Sequence, residues 1–299
     1  MDSLERYRVF VQVAEMGSFI QAAHALELPR ASVSAAVQAL ESDLGTRLLH
    51  RTTRQVRLTA EGAQLLDRVR PLLAEAEDVR QLFQRSDRQL SGRLHVDVPS
   101  RIARRLIVPA LPSLRRRYPG MNLVLGSTDR AIDLVREGVD CVVRVGQPAD
   151  SRLVARPLGH VALVNCASPA YLREHGTPTT PADLAQGHHA IGFAAEGHEP
   201  SFTWHDGEHE RNATLGGWLA VNNAETYIAA CVAGLGLIQI PRFDVRHLLE
   251  AGTLVEILPA FLAPPMPVSI LYAHRRQRSR LLGAFVDWFE ALMQPHLAP

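Results

Sequence analysis

Apolar residues recur every three or four positions in three successive segments near the start of the chain, and each segment predicts an amphipathic helix. The first predicted helix covers residues 3–15 and ends at Gly17. The second begins after Ser18, which forms a capping-box pattern with Gln21 three residues later. Pro29 introduces a third helix, because proline suits the first turn of a helix. The pattern therefore predicts a group of short consecutive helices.

The third predicted helix has two faces of different chemistry. Its core face follows steps of four, three and four residues and consists of Val33, Val37, Leu40 and Leu44. The opposite face carries small or uncharged side chains, namely Ala31, Ser34, Ala35, Gln38 and Ser42. Such a face can approach base edges in a DNA major groove, where glutamine pairs with adenine and alanine contacts the thymine methyl group. Arg30, in the first turn, can reach a phosphate or a guanine.

A segment without acidic residues follows the third helix. Between Asp43 and Glu61 it contains only positive or neutral side chains, including Arg47, His50, Arg51, Arg54 and Arg57. Such a segment is typical of a surface that contacts phosphate, although a solvated loop has the same composition. Two short predicted strands, Thr46–His50 and Gln55–Leu58, flank the tip of a hairpin. Three helices and a basic hairpin predict a winged helix-turn-helix domain.

Downstream of a helix cap at Thr59, apolar residues continue at steps of four and three. They are Leu65, Val69, Leu72, Ala76, Val79 and Phe83. This spacing is typical of the seam of a coiled coil, which would pair two subunits, or of an amphipathic helix packed on its own domain. Pro71 within the pattern predicts a kink. Ser91 and Gly92 are predicted to end this helix and to mark the main domain boundary.

From Arg93 onward, segments typical of strands and of helices alternate. The predicted strands are Leu94–Val98, Asn122–Leu125, Cys141–Val145, Val161–Cys166, Leu237–Ile240 and Val268–Tyr272. The predicted helices are Ile102–Tyr118, Ala131–Glu137, Asn223–Ala233, Phe243–Ala251 and residues 279–293. This alternation predicts α/β architecture with mostly parallel sheets and right-handed crossovers.

Several motifs resemble those of LysR-type transcriptional regulators. Residues 1–60 contain F-V-x-V-A-E-x-G-S-F, V-S-x-x-V-x-x-L-E and L-G-x-R-L-x-x-R-T-T-R in the family's order. The later motifs Y-P-G-x-x-L-x-L, D-L-V-R-E-G-V-D, C-A-S-P-A-Y-L and G-L-G-x-x-x-I-P extend the resemblance over essentially the whole chain. Many relatives carry a basic or glutamine pair after Val33 and Ser34, whereas this chain has Ala35 and Ala36.

The resemblance implies an α/β fold with an N-terminal all-α winged helix-turn-helix, a long linker helix and a two-lobed effector domain like periplasmic binding proteins. The implied domains are a DNA-binding domain at 1–59, a dimerisation helix at 60–90 and an effector domain at 92–299. In that arrangement the first lobe takes residues 92–160 and 266–299, and the second takes 161–265.

The resemblance and the helix pattern together give a set of expected DNA contacts. The candidates lie at the start of the second helix, on the third helix and at the hairpin tip: Ser18, Arg30, Ser32, Ser34, Gln38, Arg51, Thr52, Thr53 and Arg54. Because Ala35 and Ala36 replace longer side chains, base recognition is expected to depend more on Arg30, Ser34, Gln38 and the hairpin.

Effector contacts are expected where strands end and helices begin, since ligands of open α/β sheets bind there. The candidates are Ser100, Ser127, Thr128, Asn222 and Asn223, all of which are also common helix-capping residues. Arg144 lies in an apolar run, where a buried charge needs a partner. Either Asp97 pairs with it inside the protein or an anionic effector binds its guanidinium group.

Composition limits the other possibilities. The chain has 299 residues, and its 32 basic residues, all arginine, nearly balance 31 acidic ones. This balance excludes a generally basic protein that coats nucleic acid. Three cysteines without C-x-x-C spacing exclude a disulfide scaffold. Neither a signal peptide nor a membrane-spanning run is apparent, so a cytoplasmic location is expected.

Motifs for catalysis or metal binding are weak. Histidines cluster between residues 188 and 209, but Asp206 and Gly207 predict a hairpin turn that separates His205 from His209. No nucleophile triad, P-loop or dinucleotide-binding motif is present, so we expect neither an enzyme nor a cofactor or metal site.

The sequence therefore predicts a transcriptional regulator whose engagement of DNA is modulated by a small-molecule effector bound between two α/β lobes. The expected partners are a near-palindromic promoter duplex, the effector, further copies of the chain in a homodimer or homotetramer, and RNA polymerase, but no membrane. A solute-binding protein, an enzyme with a DNA-binding appendage and a sequence-blind architectural protein are the alternatives.

Overall fold

A computed structural model of the chain describes residues 1–51, 56–81, 90–130, 132–134, 137–147, 153–193, 200–273 and 279–298. The chain forms two compact units. The first comprises Met1–Arg85 with Val135–Gly138, and the second comprises Ser86–Leu134 with Val139–Pro299. No helix in the described part of the chain is long and apolar enough to cross a membrane.

The first unit begins with the predicted helices, α1 (Ser3–Met16), α2 (Phe19–Ala25) and α3 (Arg30–Leu44). Gly17 and Gly45 end α1 and α3 in the left-handed conformation, which glycine adopts without steric cost. The helices enclose a core that includes Phe10, Val13 and Val37. Leu44 is 43% exposed and does not join this core, contrary to its predicted place on the core face.

A two-stranded antiparallel hairpin follows, formed by β1 (Leu49–Arg51) and β2 (Val56–Leu58). The long helix α4 (Ala60–Gln81) then continues through Pro71. The Thr59 hydroxyl accepts a hydrogen bond from the Gly62 N–H at 2.9 Å and donates one to the Arg47 carbonyl at 2.7 Å. The predicted cap at Thr59 is therefore confirmed, and it also ties α4 to the hairpin.

The predicted seam of α4 is partly buried within the first unit and partly exposed. Val69 is buried, whereas Leu72 and Val79 are 46% and 56% exposed. Phe83 lies outside the described residues. Ser91 and Gly92 were expected to end the helix, but they begin strand β3 (Ser91–Val98), where they pair with Gly120 and Met121. That prediction was wrong because backbone pairing overrides the turn propensity of a Ser-Gly step.

The first lobe of the second unit is built on a five-stranded sheet in the order β4-β3-β5-β14-β6. Besides β3, its strands are β4 (Gly120–Ser127), β5 (Cys141–Val145), β6 (Val154–Val161) and β14 (Met266–Tyr272). β3 is parallel to β4 and β5, and β14 is antiparallel to both neighbours. Two of the four pairings in this sheet are therefore parallel, and the predicted mostly parallel sheet is only partly confirmed for this lobe.

Helices cover the first sheet. They are α5 (Ser100–Ile102), a π-helical segment (Ala103–Ile107), α6 (Val108–Arg117) and α10 (Arg280–Met293), followed by a 3₁₀ turn (Gln294–His296). A predicted helix over Ala131–Glu137 is not found in its described residues, 132–134 and 137. Val139 and Leu134 instead pack on Val142, because a short turn suffices to bury both.

The second lobe contains a three-stranded antiparallel sheet in the order β12-β7-β13. Its strands are β7 (Leu163–Ala167), β12 (Ile238–Pro241) and β13 (Val255–Glu256). The helices of this lobe are α7 (Pro169–His175), a 3₁₀ segment (Pro181–Ala185), α8 (Ala224–Val232) and α9 (Arg242–Glu250). The parallel pair β8 (Gly192–Phe193) and β11 (Ala220–Val221) and the hairpin β9 (Ser201–His205) and β10 (Glu210–Thr214) complete it. The antiparallel central sheet departs from the parallel expectation.

The cysteines and the histidine-rich segment of the second unit show no sign of metal binding in the described part of the chain. Cys141, Cys166 and Cys231 are all free and buried. The hairpin turn at Asp206 is also confirmed. Among the described residues, no group of three or more His, Cys, Asp or Glu side chains could hold a metal ion.

Candidate DNA interface and effector cleft

One face of helix α3 packs into the core of the first unit, and the opposite face is exposed to solvent. Val33, Val37 and Leu40 are buried in the core of the first unit. Ala36 is also buried, so only Ala35 of the alanine pair faces outward. The outward face thus presents short side chains beside the exposed amide of Gln38, and this shape allows close approach of a nucleic-acid groove.

Both acidic residues of α3 are engaged by other parts of the first unit. Oε1 of Glu41 accepts hydrogen bonds from the N–H groups of Leu48 and Leu49 at 2.9 and 3.2 Å. Asp43 forms an ion pair with Arg6 of α1. The negative charge of these two carboxylates is partly offset because each is paired with donor or cationic groups of the fold. A phosphate backbone near α3 would therefore meet less repulsion.

The other predicted DNA contacts lie around α3. Ser18 caps α2, and its hydroxyl accepts a hydrogen bond from the Gln21 N–H at 3.4 Å. Arg30 is exposed at the start of α3, whereas Ser32 and Ser34 are half-buried. The side chain of Arg51 and the whole of Thr52, Thr53 and Arg54 lie outside the described residues.

The hairpin adds basic groups that the predicted contact set leaves out. His50 lies opposite Arg57 across the two strands, and both side chains are exposed. Arg47, just before β1, is exposed as well. The acid-free run in the sequence is the signal that points to them, because a continuous run places several cations on one short hairpin.

One effector candidate, Ser100, lies where the two lobes of the second unit meet. The Ser100 N–H and hydroxyl donate to Oδ1 and Oδ2 of Asp129 at 3.0 and 2.6 Å. Oδ2 also accepts a hydrogen bond from the N–H of Ala224, the first residue of α8, at 2.8 Å. The structure thus brings Ser100 and the beginning of α8 to one carboxylate, that of Asp129, which the sequence prediction did not include.

The remaining strand-end and helix-start candidates are arranged separately. Asn223 caps α8, and its Oδ1 accepts from the N–H groups of Glu225 and Thr226 at 3.0 and 3.1 Å. The Thr128 hydroxyl donates to Asp97 at 3.0 Å. Ser127 and Asn222 are exposed. Capping, the alternative use of these side chains, is therefore directly seen for Asn223.

Arg144 has the internal partner that its apolar surroundings require. Its Nη2 donates to Oδ1 of Asp97 at 3.1 Å and to the Arg130 carbonyl at 3.2 Å. Its Nη1 donates to the Val143 carbonyl at 2.7 Å. Of the two alternatives for Arg144, the ion pair with Asp97 is the one seen in the structure, and the three contacts engage both Nη groups.

A second group of charges also joins the lobes. Nε of Arg101, on α5, lies 2.5 Å from Oδ2 of Asp244, on α9, and both residues are buried. Burial raises the pKa of Asp244 to about 7, although the positive charges of Arg101 and Arg105 oppose the increase. The sequence does not predict this ion pair, because an aspartate in the first turn of a helix such as α9 is normally exposed to solvent.

The π-helical segment supplies the third contact between the lobes. Arg105 donates from Nε and Nη2 to the two carboxylate oxygens of Glu225 at 3.3 and 3.2 Å, and Arg104 contacts the same carboxylate at 3.0 Å. Arg105 also lies within 2.8 Å of a ring nitrogen of His247, whose pKa is lowered by burial and by this arginine. Irregular π turns often occur at such functional places, because they redirect neighbouring side chains.

Comparison with known proteins agrees with this architecture. The family model described as "LysR substrate binding domain" matches residues 87–294, and "Bacterial regulatory helix-turn-helix protein, lysR family" matches residues 4–63. The transcriptional regulator YhjC of Escherichia coli K12 is 41% identical, with 99% of this chain and 100% of the relative covered. A transcriptional repressor of Pseudomonas aeruginosa UCBPP-PA14 is 36% identical, with 96% of this chain and 91% of the relative covered.

A solved structure gives the same result for the full length. CrgA, a LysR-type transcriptional regulator from Neisseria meningitidis, aligns with a TM-score of 0.62 at 32% sequence identity, covering 97% of this chain and 98% of the other. These relatives are transcriptional regulators and not enzymes, in agreement with the predicted non-catalytic role. Because both family models match in the expected order and the relatives align over nearly their whole length, the chain belongs to the LysR family of transcriptional regulators.

Proposed function

We propose that this LysR-type regulator reads base pairs with the outward face of α3, using Gln38 with Arg30 and Ser34, and grips the flanking phosphates with the hairpin. The supporting observation is the outward face itself, which exposes Gln38 between small side chains while both acids of α3 are engaged elsewhere. Glutamine can form two hydrogen bonds to adenine, and arginine binds phosphate or guanine. Ser18, Ser32 and the tip residues 51–54 complete the proposed contact set.

The same proposal assigns roles to the rest of the chain. Residues 1–59 bind DNA, helix residues 60–90 pair two copies, and residues 92–299 bind the effector between lobes 92–160 with 266–299 and 161–265. The paired copies, as a homodimer or homotetramer, place two DNA-binding domains on a near-palindromic promoter site. The protein acts in the cytoplasm. RNA polymerase is the expected partner at that promoter.

The effector shifts the regulator between two ways of engaging DNA. It can do so only through a difference in its affinity for the two arrangements. Ser100, Ser127, Thr128, Arg144, Asn222 and Asn223 remain the proposed effector contacts, with Arg144 reached only if its pairing with Asp97 opens.

The experiment is a footprint of the full-length protein on the DNA upstream of its own coding sequence, with and without a panel of metabolites. We expect one or more discrete protected sites, and at least one metabolite that alters the protection. Uniform protection of all sequences at moderate salt would instead indicate a sequence-blind architectural protein.

Two variants separate base recognition from phosphate binding. Gln38→Ala should relax the preference at one or two base pairs, at a cost of about 1–3 kcal/mol on the preferred site. Arg54→Ala should weaken binding to all sequences and flatten its salt dependence. Gln64→Ala, at an exposed glutamine of α4, is the matched control and should change neither. Equal weakening of all sites by Gln38→Ala would refute its role in base recognition.

A further inference from the structure

One carboxylate bridges the two lobes of the second unit without help from any ligand. Asp129 lies in the loop after β4, in the first lobe, and is half-buried. It accepts two hydrogen bonds from Ser100 of its own lobe and one from the N–H of Ala224, in the second lobe. The three donors all point at one anionic group.

The donors that Asp129 engages are ones that a bound anion would use. The first N–H groups of a helix have no partner within the helix, and the helix dipole favours negative charge beside them. Asn223 satisfies the N–H groups of Glu225 and Thr226, which leaves the Ala224 N–H to Asp129. Ser100 and the start of α8 are also places where the sequence predicts effector contacts. Asp129 therefore takes, from within the chain, the position of an anionic ligand.

Other charged groups of the second unit lie near Asp129. Asp129 and Glu225 both contribute negative charge that raises the pKa of Asp244. The positive charges of Arg101 and Arg105 act on Asp244 in the opposite direction, so acidic and basic groups are mixed around this contact. Arg104 and Arg105 join the two lobes independently through Glu225. Loss of the Asp129 contact would therefore weaken the contact between the lobes without separating them.

We propose that Asp129 is an interlobe latch, an internal carboxylate that holds the first lobe to the N-terminus of α8 and that an effector using the same donors must displace. This inference rests on the proposed binding of the effector in the cleft between the lobes. It adds that the cleft is closed by the chain's own acid before any effector binds.

The test measures the latch directly, without DNA or a natural effector. Amide hydrogen exchange is followed at Ser100 and Ala224 in the full-length wild type, Asp129→Ala and Asp129→Asn, each in sodium chloride or in sodium acetate of equal ionic strength. Loss of a carboxylate acceptor should speed exchange at these two amides by at least about tenfold. Acetate should reverse this change in Asp129→Ala along a saturating curve and have no such effect on the wild type.

Asp183→Ala is the matched control. Oδ2 of Asp183 accepts hydrogen bonds from the N–H groups of Thr179 and Thr180, both at 2.9 Å, so it makes the same kind of contact within a single lobe. Its loss should speed exchange at those two amides and leave Ser100 and Ala224 unchanged. If Asp129→Ala does not fold, Asp129→Asn carries the test, because its amide keeps the size of the side chain but loses one acceptor.

Unchanged exchange at Ala224 in both Asp129 variants would overturn the latch. So would an acetate effect of equal size in the wild type, Asp129→Ala and Asp183→Ala. These results do not depend on the footprint, so the latch can fail while the proposed DNA recognition holds, and the reverse.

Discussion

Asp183 and Asp244 both belong to the second lobe, yet their surroundings move their pKa values in opposite directions. Asp183 is half-buried, and hydrogen bonds from Thr180 and Thr179 lower its pKa from 3.8 to about 2. Asp244 is fully buried, and the loss of hydration raises its pKa from 3.8 to about 7. One folded protein therefore contains an aspartate that favours the charged form and another that disfavours it.

The two aspartates should give pH dependences of opposite sign. Between pH 3.8 and about 7 the folded state holds a proton on Asp244 that the unfolded state has lost, so its contribution to the free energy of unfolding falls as pH rises through this window. Asp183 contributes stability above pH 3.8, which is lost as pH falls towards about 2, and solvent screening keeps this contribution small.

Urea unfolding of the wild type, Asp244→Asn and Asp183→Asn at a series of pH values checks this prediction. The difference between the wild type and Asp244→Asn should change across pH 4–7, whereas the difference for Asp183→Asn should be flat there and change only in more acidic solution. A flat difference for Asp244→Asn would mean that the ion pair with Arg101 keeps this carboxylate charged throughout.

Two helical glycines differ in what surrounds them. A Cβ atom on Gly62, in the first turn of α4, would lie 2.0 Å from the Leu48 carbonyl oxygen. The same atom on Gly283, in α10, would have no neighbour within 4 Å. The absence of a side chain at Gly62 therefore allows α4 to lie close to the backbone that leads into the hairpin. The Thr59 cap joins the two elements at the same place.

Alanine at these two positions should have opposite effects. Gly62→Ala must push α4 away from the backbone of Leu48 and should lower the free energy of unfolding by about 1–3 kcal/mol or more, as overpacking does. Gly283→Ala should raise it by about 0.5–1 kcal/mol, because alanine loses less backbone freedom in a helix. Thermal unfolding of both variants checks the pair, and a Gly62→Ala protein as stable as the wild type would contradict the close approach.

At the level of elements, the sequence predicts those helices and strands whose bounds are set by apolar periodicity and by capping residues. The bounds of α1, α3, β5 and α10 follow from apolar spacing and from caps such as Ser279, whose hydroxyl accepts from the Leu282 N–H. It does not predict β6, whose alternation is weak, nor the π-helical segment, whose hydrogen bonds span one residue more than those of an α-helix. It also missed Asp129, because the role of that side chain depends on a contact 95 residues away.

At the scale of the whole molecule, the exposed residues on α4 suggest how copies of the chain associate. Leu72 and Val79 lie seven residues apart, on one face of the helix, and both are large and exposed. Soluble proteins seldom leave such a stripe without a partner, and a heptad stripe is typically covered by another helix. The family forms oligomers, which fits the use of this stripe as a subunit contact.

Leu72→Glu should weaken self-association by at least about tenfold, because it replaces buried apolar area with a charge at the subunit contact. Ala63→Glu places the same charge on the opposite, exposed face of α4 and should leave association unchanged. Sedimentation over a range of concentrations measures both. Equal association of Leu72→Glu and the wild type would show that subunits pair through another surface.

The carboxylate of Asp129 also sets a concentration threshold for the regulator. A tethered competitor is present at a fixed effective concentration, so the apparent dissociation constant of an effector equals its intrinsic value divided by the fraction of molecules in which the cleft is open. The three hydrogen bonds to Asp129 keep that fraction small. Substitution of Asp129 would then change the effector concentration at which the regulator responds without altering any of the proposed effector contacts.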